Sequence, residues 1–141
     1  MSQRVRAMLA IDPGRDKCGL AVVTLAGEAL AQEVIPAAAL AGRARELAER
    51  YDIAVIVVGD RTGADAALEA LESALPDIET AAVDEHRSSE EARRLYFREH
   101  PPRGWRRLIP STVQTPPRAY DDYVAVILAR RYLRAGGEQG C

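Results

Sequence analysis

The sequence predicts an α/β fold: a mixed five-stranded sheet with helices on its faces. Three observations carry that expectation. Three short apolar segments follow one another at the start with only tight turns between them, as in an antiparallel meander. From Pro36 onward, helical and strand patterns alternate, which demands crossover connections and parallel pairing. Among them falls "IAVIVVG", a continuous β-branched run typical of a strand buried on both faces.

Each element can be justified in order. "VRAMLAID" and "CGLAVVTL" read as two mostly buried strands separated by a Pro-Gly turn. "AGE" signals a tight turn, and "ALAQEVI" alternates well enough for a third strand. In "PAAALAGRARELAERY", Leu40, Ala44, Leu47 and Tyr51 recur at helical spacing with charges on the other side. "IAVIVVG" is the fourth strand. "DRTGADAALEALESALP" supplies a turn and a helix whose stripe is Ala67, Leu68, Leu71 and Leu75. "IETAAV" is the fifth strand, ending at "DE". In "SSEEARRLYFRE", Ser88-x-x-Glu91 forms a candidate capping box at the start of a helix. "HPPRGWRRLIPSTVQTPPR", with five prolines and the only tryptophan, is a loop of roughly 20 residues, a length more often functional than filler. "AYDDYVAVILARRYLRA" closes the chain as an amphipathic helix that frays at Gly136-Gly137. The order is βββαβαβα, then the loop and a last helix, which is the ribonuclease H-like order.

Composition narrows the class. The 141 residues fit one domain spanning 1–141, and a hydrophobic content of 48% supports a real core. No apolar run approaches the ~20 residues that span a bilayer, and no secretory signal is evident, so no membrane association is expected. Two cysteines, Cys18 and Cys141, provide neither a disulfide framework nor metal-ligand spacing, and the expected location is the cytoplasm. A net charge of -2 argues against indiscriminate coating of nucleic acid. Yet between His86 and Arg118 eight arginines face three acids, making that stretch +5 and the remainder -7. Such segregation marks either a phosphate-binding face or a solvated Arg-rich surface.

Four acids stand where side chains converge in α/β folds, at strand ends and helix starts. Asp12 ends the first strand, Glu85 ends the fifth, and Asp121 and Asp122 open the last helix. Convergent carboxylates suit hard cations such as Mg²⁺ or Mn²⁺. Two such ions could activate water and stabilise the leaving oxygen of a phosphodiester. Each acid also has a structural explanation. Asp before Pro-Gly opens turns, Glu85 could pair with His86 or Arg87, and acids at a helix start favour its dipole.

On these motifs the chain resembles the YqgF (RuvX) group of ribonuclease H-like nucleases, also described as Holliday-junction resolvases. The likeness covers nearly the whole chain through "IDPGRDKCGLAVV", "IVVGD", "VDEHRSSEEARRLYF" and "DDYVAVILARRYL". "IDPG" is also similar to the RuvC resolvases, whereas "DE" followed by "SSEEA" favours YqgF. The resemblance implies that Asp12, Glu85 and Asp121 are the catalytic, metal-binding acids, with Asp122 as the alternative for the last. On a helix Asp121 shares a face with Ala125, Leu128 and Tyr132, and Asp122 lies about 100° round. The resemblance further implies a metal-dependent nuclease whose substrate is the precursor of 16S ribosomal RNA or a branched DNA junction. Resolving a junction takes two coordinated sites, so monomer and homodimer both stay open. The chain departs from commoner members in carrying "GDRTG" and in adding "PPRGWRRLIP".

Other residues are candidates for holding nucleic acid. Arg15 and Lys17, the only lysine, adjoin Asp12, and Thr62 follows the fourth strand. Arg87 and Arg94 belong to the basic stretch, and Arg103, Arg106 and Arg107 flank Trp105. Trp105 could stack on an unpaired base while the guanidiniums hold phosphates, or it could pack on the domain and pin its loop. Two other functions fit the pattern less well. One is a nucleic-acid-binding module or ribosome-assembly factor without turnover. The other is an actin-like ATPase or sugar kinase, which would need two such domains around a nucleotide.

Overall fold

The computed structural model describes residues 4–61, 63–101, 104, 108, 116 and 119–136. The strands are β1 (Arg6–Asp12), β2 (Lys17–Thr24), β3 (Ala29–Pro36), β4 (Asp52–Gly59) and β5 (Thr80–Val83). The helices are α1 (Leu40–Arg50), α2 (Ala64–Ala74), α3 (Ser88–Glu99) and α4 (Asp121–Arg134). The sheet order is β3-β2-β1-β4-β5. β1–β2 and β2–β3 pair antiparallel, whereas β1–β4 and β4–β5 pair parallel. The mixed five-stranded, ribonuclease H-like sheet expected from the sequence is the sheet observed. β1 sits at its middle.

Alternation along β1 sorts its side chains between two cores. Ala7, Leu9 and Ile11 point to one face, where they meet Leu40, Ala44 and Leu47 of α1 and Leu71 of α2. Met8 and Ala10 point to the other, beneath Leu95 and Tyr96 of α3 and Leu128 of α4. Met8, Leu9, Ile11, Leu47, Leu71 and Leu128 are all fully enclosed, each burial contributing about 1.5–3 kcal/mol.

α4 departs from its amphipathic pattern. Eight consecutive residues, Asp122 through Ala129, are buried. The cause is tertiary: α4 lies across β1, β2 and β3 and is covered by α3, so little of its circumference reaches water.

Three local expectations are corrected. The helix after Pro36 begins as a 3₁₀ turn, Ala37–Ala39, before α1 proper. β5 starts at Thr80, because Ile78 still closes the preceding turn by donating to the Leu75 carbonyl at 3.2 Å. Ser88-x-x-Glu91 is not a capping box. Arg87, with φ 59°, takes the N-cap position, and no side chain caps the helix. The Ser88 N–H donates instead to the Glu85 carbonyl at 2.9 Å, and Glu91 is committed to Arg131. Thr62, Arg103, Trp105, Arg106 and Arg107 lie outside the described residues. Among the described residues no helix is long and apolar enough to cross a membrane.

Candidate active site

Asp12 continues the Met8–Ala10 side of β1, so its carboxylate lies on the face covered by α3 and α4. Its neighbours in the sheet are both glycines. Asp12 pairs with Gly19 of β2, and since Ile11 pairs with Val58, the next residue along β4 is Gly59. A glycine inside a strand often marks a close approach by another part of the chain. Both do so here. A Cβ on Gly19 would overlap the backbone carbonyl of Asp121 and come within 2.6 Å of the Asp122 nitrogen. One on Gly59 would overlap the Glu85 carboxylate and sit 2.7 Å from its Cγ. Two missing side chains therefore admit the other two acids, one on each side of Asp12.

The crowding has an electrostatic signature. Burial, a hydrogen bond with Glu85, and the charges of Glu85 and Asp121 push the Asp12 pKa up from 3.8 to about 8. Arg61 pulls the other way. Burial also raises the Cys18 thiol, to about 11, with help from the Asp12 and Asp121 charges. Cys18 packs as a small core residue and is no nucleophile.

Glu85 is only 5% exposed and is fixed by the loop after β4. The Arg61 N–H donates to Glu85 Oε2 at 3.0 Å, and the Glu85 N–H donates to Asp60 Oδ1 at 3.3 Å. Asp121, at the start of α4, lines the same ≈ 490 Å³ crevice as Asp12, Arg15 and Lys17. Its Oδ2 stands 3.9 Å from Lys17 Nζ, a partly exposed pair worth under about 1 kcal/mol. Asp122 faces elsewhere: it is buried and accepts a bond from Gln32 Nε2 at 3.3 Å. Of the two adjacent aspartates, Asp121 is the one beside Asp12.

The structure thus groups Asp12, Glu85 and Asp121 with Arg15 and Lys17. Arg87 is exposed at the start of α3, two residues past Glu85, and Arg94 lies farther along that helix on a separate groove. Gly19, Gly59, Asp60 and Arg61 were not among the residues singled out from the sequence. The signal available was glycine inside two strand patterns, each next to a candidate acid.

The donor set suits a divalent cation: hard oxygens only, with the like charges of Glu85 and Asp121 pressing on Asp12. As they stand, however, the three acids do not form one ligand sphere. Among the described residues no three Asp, Glu, His or Cys side chains are close enough to hold one ion. Asp12 and Glu85 bond to each other, and Asp121 turns towards Lys17.

No protein-family model matches the chain, and no curated protein matches it in sequence. Solved structures do. Thermus thermophilus RuvC in complex with a Holliday-junction substrate superposes with a TM-score of 0.63 at 18% identity, covering 93% of this chain and 96% of that one. A second structure of RuvC from the same organism gives a TM-score of 0.59 at 19% identity, over 92% and 96% of the two chains. At such identities the likeness is one of fold, and it spans almost the full length of both proteins. The chain has the ribonuclease H-like fold of the RuvC resolvase.

Proposed function

We propose that this protein is a divalent-metal-dependent nuclease of the RuvC and YqgF type, hydrolysing phosphodiesters in structured nucleic acid. The observation that carries the reading is the meeting of Asp12, Glu85 and Asp121 at the middle of the sheet, through the spaces left by Gly19 and Gly59. A divalent cation held by these acids would supply Lewis acidity and an activated water. The chain's own residues do the rest. Asp12 and Asp121 sit on backbone that cannot shift without disturbing the sheet. Glu85 is oriented by the Arg61 N–H. Lys17 and Arg15, on the rim of the crevice, are placed to meet phosphate oxygens of the bound strand.

The substrate is either a four-way DNA junction, as in the RuvC complex, or the precursor end of 16S ribosomal RNA. A second reading, a binding module without turnover, is favoured by one feature: the acids are not yet set as a single ligand sphere. Cleavage of labelled junction, precursor-rRNA fragment, duplex DNA and single-stranded RNA, with Mg²⁺, Mn²⁺ or EDTA, separates the readings. Metal-dependent cutting that Asp12→Asn abolishes supports the nuclease. Binding without cutting under every condition supports the module.

A further inference from the structure

A groove of ≈ 160 Å³ runs between α3 and α4, on a part of the surface separate from the carboxylate crevice. It is lined by the apolar Leu95 and Ile127, by one acid, Glu91, and by four arginines: Arg94 and Arg98 from α3, Arg130 and Arg134 from α4. Both pairs are spaced i,i+4, so each forms a stack along one side. We propose that this groove is a second phosphate-binding surface that holds a duplex arm of the nucleic acid while the scissile strand lies in the crevice. The inference rests on the nucleic-acid reading above and extends it to a site of its own.

The charge balance is the first argument. Two acids accompany the four arginines, and both are shared thinly. Glu91 is bonded to Arg131 and lies 3.7 Å from Arg134, while Glu90 lies 3.9 Å from Arg94. Arg130 gives its Nε to the Gly27 carbonyl at 3.0 Å and keeps its terminal nitrogens. No acid pairs with Arg98 among the described residues. Guanidiniums facing one another across a narrow groove repel, and a phosphate between them relieves that repulsion with bidentate bonds. The side chains of Arg94 and Arg134 are 53% and 62% exposed, so an anion reaches them without any opening of the fold.

Distance is the second argument. α4 starts at Asp121 in the crevice, and Arg130 and Arg134 follow nine and thirteen residues later, about 14 and 20 Å along the axis at 1.5 Å per residue. At 3.4 Å per base pair, that is about four to six pairs of a duplex. A helical arm running along α4 would reach the groove, and a very short one would not.

The test is the salt dependence of binding to a DNA hairpin with a 20-base-pair stem, measured in EDTA so that no cleavage is required. Each lost phosphate contact lowers the slope of log affinity against log salt by about 0.9. Replacing Arg94 and Arg98 together by Ala lowers the slope by about 1.8, so wild type loses about 12-fold more affinity than the variant between 50 and 200 mM salt. The double Lys replacement retains most of the wild-type slope. Arg45→Ala with Arg50→Ala, the same charge change on exposed positions of α1 across the sheet, leaves the slope as in wild type. An unchanged slope in the Arg94/Arg98 variant, or an equal fall in the Arg45/Arg50 variant, overturns the groove. So does wild-type protein that binds no hairpin, which would make an acidic protein the better partner. Metal-dependent cleavage of the labelled junction is scored separately on the same Arg94/Arg98 variant and on wild type, so failure of the nuclease reading (no cutting by either) and failure of the groove (an unchanged slope) are separate results.

Discussion

Asp121 and Glu85 approach Asp12 from opposite sides, and they are held by different means. Asp121 rides on α4, whose following eight residues are buried and whose first turn rests directly on the backbone of β2 at Gly19. Glu85 follows β5, the short edge strand, where no residue of the strand is fully buried. Its carboxylate is kept in place by one N–H and a side-chain hydrogen bond. One acid is positioned by the packing of main chain on main chain, the other by hydrogen bonds. Since Glu85 already bonds to Asp12, a common ligand sphere would form by the Asp121 side chain turning from Lys17 while its backbone stays seated on β2.

The largest effect tests whether both sides are needed at all. Asp12→Asn and Glu85→Gln should each reduce metal-dependent cleavage by more than the roughly 10–100-fold typical of losing an outer-shell partner. Circular dichroism should remain that of wild type. Full activity in Glu85→Gln would break the comparison, since the edge side would then contribute nothing.

Next come the two glycines. Gly19→Ala pushes a methyl group into the backbone of Asp121, where relief requires moving the start of α4. It should cost about 1–3 kcal/mol of stability, read as a lower midpoint in urea, together with most of the activity. Gly59→Ala meets the Glu85 side chain, which can rotate away by giving up its bond from the Arg61 N–H. Here the loss in stability should be smaller, about 1 kcal/mol, while activity falls severely. Equal destabilisation by the two substitutions would show that Glu85 is as rigidly seated as Asp121.

Much of this architecture was legible in the sequence because strand and helix patterns are local. The meander, the β-branched run of β4 and the alternation beyond it each follow from neighbouring residues, and Asp12, Glu85 and Asp121 were visible as acids at element ends. What was hidden depends on contacts between distant segments. Nothing near Gly19 says that α4 will cross it 102 residues later in the chain. The capping box failed because Glu91 found Arg131, a partner from another helix. Arg130 and Arg134 carry no local signal for the same reason: only packing sets them opposite Arg94 and Arg98.

The last expected effect leaves activity aside and concerns the crowded centre itself. In metal-free protein the Asp12 pKa is about 8, against 3.8 for an ordinary aspartate, so the folded state keeps a proton that the unfolded chain has already released. This contribution to stability is fully present below about pH 4 and drains away as pH rises towards 8. Asp12→Asn removes the titration and should lose less stability than wild type between pH 5 and pH 8, by up to about 4 kcal/mol if the whole shift is expressed. Melting curves of both proteins in EDTA at the two pH values measure it. If the two proteins are equally stable at pH 5, the variant is the more stable at pH 8, as expected where crowded acids are kept at the expense of stability. Parallel losses in the two proteins would mean that Glu85 and Asp121 do not press on Asp12, and that the two sides of the site act independently.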